Sequence, residues 1–139
     1  MHRQVRALLG YARRRGLEVY HQLTPAYVDQ TLLPEAEKYR GVGWYTEKPG
    51  HGGLCWHHPE VQALCRRVAR EMMEYYGPVD GYTVWFYDPA GCFCDWCRPN
   101  QAQALYEQLS LVADLAQTIG PGARMQAVLW PTWIFPQYE

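Results

Sequence analysis

The sequence lacks any apolar run of the roughly 18 residues that a bilayer-spanning helix needs. Residues 1–6 contain no apolar core of the kind that defines a secretory signal. Gly-rich phosphate loops, nucleophile elbows and His-Glu-x-x-His motifs are also missing from the sequence. We therefore expect a soluble, most simply cytoplasmic protein with no membrane partner.

Positive charge is not in excess, since 13 basic side chains face 14 acidic ones and the formal net charge is −1. A nucleic-acid groove needs a clustered positive field. The one basic cluster, Arg13-Arg14-Arg15, ends a predicted helix, where positive charge complements the helix dipole. The composition therefore argues against a nucleic-acid partner. A length of 139 residues, 48% of them hydrophobic, predicts a single domain over residues 1–139.

A helix, a glycine and a short apolar strand follow one another three times along the chain. Helices are predicted over residues 5–15, 59–76 and 101–118, and strands over 17–23, 82–87 and 125–130. The second helix carries an apolar stripe formed by Val61, Leu64, Cys65, Val68, Met72 and Tyr75. This alternation predicts an α/β fold in which three parallel strands are joined by helical crossovers.

Three strands are too few for a closed barrel, which needs about eight strands and around 250 residues. The order of elements is that of a partial (β/α) repeat, like an interior slice of a TIM barrel. Such a slice leaves sheet edges open, and proteins normally cover these edges. We therefore expect self-association into a homo-oligomer, or a chain that is a truncated piece of a longer protein.

Four cysteines follow the first two predicted strands. Cys55 lies in the long Gly- and Pro-rich connection over residues 24–58, in which residues 34–39 are expected to form one helical turn. Cys92, Cys94 and Cys97 follow the second strand. If these parallel strands are neighbours, all four thiols lie at the same edge of the sheet. Four thiolates form a tetrahedral zinc site, and a reducing compartment favours metal ligation over disulfides.

Other arrangements of the thiols stay open at this stage. Two disulfides are the alternative if the protein is exported, and free thiols are another. Cys65 lies on the apolar stripe of its helix and is expected to be a small buried hydrophobe. One of His57 and His58 is a possible replacement for a thiol, although His58 is equally suited to capping its helix, and His51 is a further loop candidate.

Asp88 is the candidate catalytic residue, because it directly follows the second strand and Pro89 turns the chain away after it. The alternative is an Asx-type turn or a carboxylate that supports the cysteine loop. A glycosidase also needs a second carboxylate at roughly 5–9.5 Å. Asp95, Glu47 and Asp29 are loop candidates, and the spacing does not single one out.

Aromatic side chains near the strand ends are candidates for binding a substrate. Trp85 and Tyr87 alternate with Asp88 along the strand and are therefore expected on the opposite face of the sheet. Trp130 and Trp133 lie at or beyond the end of the third strand. His21, near the end of the first strand, is either a substrate-facing polar group or a core histidine. Packing of these rings against helices or loops is the competing interpretation.

The cysteine segments resemble those of a set of glycoside hydrolase barrels, the β-N-acetylhexosaminidase-like and α-glucuronidase-like barrels and their relatives. The resemblance covers about residues 3–134, and its specific part is Leu54-Cys55-x-x-His58-Pro59-Glu60-Val61 followed by Trp85-x-Tyr87-Asp88-x-x-Gly91-Cys92-x-Cys94-x-x-Cys97-x-Pro99. It implies a (β/α)8 domain acting on glycans, of which this chain forms about strands three to five. Hexosaminidases carry an adjacent Asp-Glu pair where this chain has Asp88-Pro89.

The sequence thus favours a glycan-binding or glycan-hydrolysing barrel fragment, with a zinc-binding cysteine loop and with Asp88 as acid or as substrate-orienting carboxylate. The alternative is a non-enzymatic, zinc-stabilised α/β module that oligomerises. A third interpretation is a redox or metal-sensing protein that uses Cys92, Cys94 and Cys97.

Overall fold

The computed structural model describes residues 2–42, 53–86 and 92–128 of the chain. Three helices, α1 (His2–Arg14), α2 (Pro59–Tyr76) and α3 (Gln101–Ile119), alternate with three strands, β1 (Tyr20–Leu23), β2 (Gly81–Trp85) and β3 (Arg124–Val128). The strands form one parallel sheet in the order β1-β2-β3, in which Leu23 pairs with Val84 and Val84 with Ala127. The predicted α/β fold with three parallel strands and three helices is confirmed.

The first strand is shorter than the sequence predicts. Residues 17–23 are apolar enough for a strand, but the ladder begins at Tyr20, which pairs with Gly81. Just before it, the Val19 amide donates to the Asp80 carboxylate at 2.7 Å and the Asp80 amide donates to the Val19 carbonyl at 2.9 Å. These two hydrogen bonds take the place of regular strand pairing before Tyr20. Leu17, earlier in the predicted strand, is 60% exposed.

Helices α2 and α3 cover one face of the sheet. Tyr82 and Val84 on β2 and Phe86 directly after it are buried, whereas the alternate residues Thr83 and Trp85 are only partly buried. The helices contribute fully buried side chains to the same core, Met73 from α2 and Val112 and Leu115 from α3. The core therefore lies between β2 and this pair of helices, as expected for a strand with one covered face.

The buried stripe of α2 differs from the predicted one. Val61, Leu64 and Cys65 are buried as expected, but the stripe continues through Ala69 and Met73. Met72, which the sequence pattern places in the core, is 36% exposed. Cys65 is fully buried, which confirms its expected role as a small core hydrophobe.

Helix α1 is attached to the end of α2. Its Arg6 guanidinium donates to the Tyr75 carbonyl at 3.1 Å, and Arg13 donates to the Pro78 carbonyl. Leu8 and Tyr11 on the outer side of α1 are 65% and 50% exposed. Among the described residues, no helix combines the length and the apolar content that are needed to cross a bilayer.

Candidate metal centre

Four thiols meet at the carboxyl edge of the sheet. The Sγ atoms of Cys55, Cys92, Cys94 and Cys97 all lie within 4.8 Å of one another. Cys55 lies on the connection that leaves β1, and the other three cysteines lie on the connection that leaves β2. Because β1 and β2 are parallel neighbours, both connections start at the same edge. The predicted convergence of these four cysteines is therefore confirmed.

The spacing of the sulfur atoms is that of metal ligands. The Cys55 Sγ lies 3.6 Å from the Cys97 Sγ and 3.8 Å from the Cys94 Sγ. Tetrahedral zinc with Zn–S bonds of about 2.3 Å places its sulfurs about 3.8 Å apart. A disulfide requires about 2.05 Å, and all five cysteines, each of which is described, are free thiols. The cluster could hold a metal ion.

A short segment over residues 39–42, earlier in the same connection as Cys55, lies between residues 53–55 and Cys92. On one side, the Cys55 amide donates to the Tyr39 carbonyl at 2.8 Å and the Gly41 amide to the Gly53 carbonyl at 3.0 Å. On the other side, the Val42 amide donates to the Cys92 Sγ at 3.2 Å. The segment therefore fixes the distance between Cys55 and the other three thiols.

Sequence reasoning missed this segment, because it lies in the long connection and carries no periodic pattern. The available signal was Gly41. A Cβ atom at this position would lie 2.8 Å from the Gly53 carbonyl oxygen and 3.4 Å from the Cys92 Cβ. Glycine is therefore required where the segment passes between Gly53 and Cys92.

Backbone amides point at the sulfur atoms. The Cys94 amide donates to the Cys92 Sγ at 3.4 Å, the Cys97 amide donates to the Cys94 Sγ at 3.4 Å, and the His57 amide donates to the Cys55 thiol. Such donors favour thiolates, the form in which cysteine binds a metal. The Cys55 and Cys97 thiols themselves donate to Cys92 and lower its pKa, while their own pKa values are raised by the same contacts.

Both ligand segments are anchored to the helices. Trp56, next to Cys55, is 4% exposed, and its indole N–H donates to the Glu107 carboxylate of α3 at 2.8 Å. The Trp56 carbonyl accepts from the Gln62 amide of α2 at 2.9 Å. The Asn100 side chain donates to the Trp96 carbonyl at 2.7 Å, next to Cys97. Outer contacts of this kind orient metal ligands and limit their movement.

The histidines near Cys55 are not members of the group. Among the described residues, the set within ligand distance consists of the four cysteines. His57 is exposed and stacks on Trp96, with ring centroids 4.6 Å apart. His58 precedes α2 but makes no side-chain capping bond, and its ring packs edge-on against Tyr39 at 5.2 Å. His51 lies outside the described residues.

Most of the predicted catalytic and substrate-binding residues lie outside the described part of the chain. These are Asp88, Tyr87, Trp130 and Trp133, together with the alternative carboxylate Glu47. Their roles stay predictions. Trp85 ends β2 as the register partner of Val128 and is half-buried on the face of the sheet turned away from α2 and α3.

The two other carboxylates named from the sequence are both exposed. Asp29 forms an Asx turn in which Thr31 donates both its amide, at 2.9 Å, and its hydroxyl, at 2.7 Å. These bonds lower the pKa of Asp29. Asp95 lies between Cys94 and Cys97 in the cysteine segment.

His21 lies on the helix-covered face and packs against the last turn of α2. Its ring meets Tyr76 edge-on with a centroid distance of 4.4 Å, and Tyr82 lies 6.3 Å away. The His21 Nδ1 atom is buried and has no hydrogen-bond partner. Burial lowers the pKa of His21, because it disfavours the charged imidazolium. The structure thus separates His21 from the cysteine cluster, and its role in substrate binding stays a prediction.

Acidification is expected to destabilise the fold through His21. Below the ordinary pKa of 6.5, unfolded His21 gains a proton that the folded chain accepts only at lower pH. The unfolded state then binds more protons, so the free energy of unfolding falls as pH drops through this window. We expect His21→Phe to flatten this dependence between pH 7 and pH 5, as measured by urea unfolding of the metal-loaded chain. His57→Gln, at an exposed ring, is the control; equal slopes in wild type and His21→Phe would contradict the expectation.

Comparison with known proteins gave no match to any family model, curated protein or solved structure. The four-cysteine cluster therefore carries the functional inference.

Proposed function

We propose that this chain is a zinc-binding α/β unit, in which the four cysteines of the cluster hold one zinc ion. The observation that carries the proposal is their mutual distance, with all four Sγ atoms within 4.8 Å of one another. Four protein thiolates complete a tetrahedral coordination sphere and leave no open position for water. The ion would therefore be structural and would tie the connection after β1 to the connection after β2.

Thiolate ligands in a tetrahedral arrangement suit zinc and iron, and oxygen-seeking cations such as Mg²⁺ and Ca²⁺ do not bind such sites. Zinc is the ion that we propose. Measurement of the bound metal separates the two ions, because a ferric tetrathiolate absorbs visible light and a zinc one does not.

The test is elemental analysis of the purified chain after zinc loading and removal of excess ion. We expect one zinc per chain in the wild type, less than a tenth of that in Cys97→Ser, and one per chain in Cys65→Ala. Cys65 is the matched control, since it is the cysteine outside the cluster. Absence of bound metal in the wild type, or full loading of Cys97→Ser, would overturn the proposal.

A glycan-active site at the same edge is a second proposal. Residues 87–91 lie between Phe86, which directly follows β2, and Cys92, a member of the metal cluster. In the sequence, Asp88 thus stands between two described residues at the carboxyl edge, where parallel α/β proteins place their sites. The zinc ion would brace this loop, Asp88 would act as acid or as substrate-orienting carboxylate, and Trp85, Tyr87, Trp130 and Trp133 would stack on the sugar. The resemblance to glycoside hydrolase barrels supports this assignment.

Asp88→Asn is expected to reduce glycan hydrolysis while zinc stays bound. General acids contribute about 10²–10⁴-fold to the rate, so we expect a loss of this order with chromogenic β-N-acetylhexosaminides or α-glucuronides. Asp95→Asn, at an exposed carboxylate in the same segment, is the control. Unchanged hydrolysis in Asp88→Asn would refute the catalytic role. If the wild-type chain binds zinc and hydrolyses neither substrate, the glycan-active proposal is refuted and the non-enzymatic zinc module is the interpretation that stands.

Self-association is the remaining part of the proposal. Within the part of the chain that the structure describes, β1 and β3 are the outer strands of the three-stranded sheet, and an uncovered parallel sheet edge offers unpaired backbone groups to a second copy. We expect native mass spectrometry of the zinc-loaded chain to show an assembly of two or more copies. A monomer at tens of micromolar would contradict this part and leave the metal site unaffected.

A further inference from the structure

We propose that Cys94 is the site at which hydroperoxides oxidise the cysteine cluster, and that Cys55 closes the resulting disulfide and so releases the metal. This inference rests on the proposed function, because it concerns the same four thiols. It adds an oxidant-sensing activity to a centre that the coordination alone would make structural.

Accessibility distinguishes Cys94 from the other three ligands. Cys55 and Cys97 are each 3% exposed and Cys92 is 7% exposed, whereas Cys94 is partly exposed. A peroxide has to reach the sulfur atom along the axis of its O–O bond, so oxidation follows solvent access as well as thiolate character. Among the four ligands, Cys94 is therefore the one that a peroxide reaches from solvent, and its sulfur also accepts the Cys97 amide.

The partner in the disulfide follows from the contacts of the Cys94 sulfur. The Cys55 Sγ lies 3.8 Å away, in direct contact. Cys97, in contrast, approaches the Cys94 Sγ with its backbone amide, and its own Sγ is in contact with Cys55 at 3.6 Å. Cys55 is thus the thiol in contact with both Cys94 and Cys97. The first disulfide is expected to join the two connections across the cluster and not the nearby Cys94-x-x-Cys97 pair.

The chemistry balances with one hydroperoxide per disulfide. The Cys94 thiolate attacks the distal peroxide oxygen, so that an S–O bond forms and the O–O bond breaks. Cys94 becomes a sulfenic acid, and the departing alkoxide or hydroxide takes a proton from solvent to give an alcohol or water. The Cys55 thiolate then attacks the Cys94 sulfur, an S–S bond forms, and the S–O bond breaks with loss of water after protonation. The two sulfurs lose two electrons and the peroxide gains two. Two of the four ligands are removed, so the affinity for the metal collapses.

The experiment treats the zinc-loaded full chain with hydrogen peroxide and follows zinc release with a colorimetric chelator. Chymotrypsin then maps the disulfide, because its sites after Trp56, Tyr76, Phe93 and Trp96 place all five cysteines in separate peptides. We expect a peptide pair that joins Cys55 to Cys94, formed in proportion to the zinc released. A Cys94–Cys97 pair, or zinc release without any disulfide, would overturn the inference.

Two matched variants test the order of events. Cys94→His keeps a Cys3His ligand set, which also holds structural zinc, but removes the thiol at which oxidation begins. Cys97→His gives the same ligand set and retains both Cys94 and Cys55. We expect peroxide-driven zinc release to slow at least tenfold in Cys94→His and to stay near the wild-type rate in Cys97→His. Equal slowing in both variants would contradict the role of Cys94.

Failure of this inference can be told apart from failure of the proposed function. A chain that binds one zinc and keeps it in excess peroxide retains the structural site and refutes the sensor. A chain that binds no zinc refutes the proposed function, and the disulfide map still decides whether Cys94 pairs with Cys55. Should a histidine variant fail to fold, the map of the wild-type chain gives the answer alone.

Discussion

Removal of the metal from the zinc-loaded chain by a chelator is expected to lower its thermal unfolding midpoint by on the order of 10 °C or more. An ion that binds only the folded state adds about 4 kcal/mol when its free concentration is 1,000 times the Kd. For a chain of this size, each kcal/mol is worth a few degrees. The ion also offsets the repulsion among thiolates held within 4.8 Å. The measurement is a thermal scan with and without chelator.

Comparison of two cysteine variants shows whether the shift comes from the cluster. In Cys97→Ser the midpoint should already be low, and the chelator should shift it no further. In Cys65→Ala the midpoint should fall because a fully buried side chain is truncated, yet the chelator should shift it as much as in the wild type. A shift of the same size in all three chains would place the metal elsewhere, and no shift in the wild type would mean that the cluster does not stabilise the fold.

The cysteine cluster was predictable because it depends on topology more than on local detail. Alternating helices and strands imply parallel neighbours, and parallel neighbours place their following connections at one edge. That argument brings Cys55 near Cys92 without any knowledge of the connections themselves. It does not give the segment over residues 39–42, whose amides and carbonyls set the spacing of the sulfurs. A segment held by single backbone hydrogen bonds produces no periodic pattern of apolar residues. The sequence feature that indicates this segment is Gly41, where a side chain would collide with Gly53.

The register of α2 shows a different limit. Neighbouring positions on a helix are 100° apart, so a stripe through Val68, Met72 and Tyr75 and one through Ala69 and Met73 differ by a rotation of one residue. The sequence favours the first stripe, since its side chains are larger. In the structure the second stripe is buried, with Ala69 4% exposed and Met73 0% exposed. Packing against the sheet, which the helix sequence does not encode by itself, selects between them.

Truncation of Met73 to alanine is expected to cost about 2–5 kcal/mol of unfolding free energy, the range for a buried methionine that leaves a cavity. Met73 contacts the core between α2 and the sheet and is completely buried. The adjacent Met72 is 36% exposed, so Met72→Ala should cost about 0.5 kcal/mol or less. Both variants change the same side chain in the same helix, so their helix propensities change equally. Urea unfolding of the zinc-loaded chains measures both.

The same pair of variants tests the structure of α2 itself. If α2 were rotated by one residue, towards the stripe that the sequence favours, Met72→Ala would be the costly change and Met73→Ala the mild one. Bound zinc should stay at one per chain in both variants. The contact of α2 with the metal centre is the bond from Gln62, in the first turn, to the Trp56 carbonyl. A cavity at Met73, near the other end of the helix, is not expected to move Gln62. Loss of zinc in Met73→Ala would instead mean that the core and the metal centre unfold as one unit. In that case the metal centre would depend on the packing of the core, and it would not be an independently stable link between the two connections at the sheet edge.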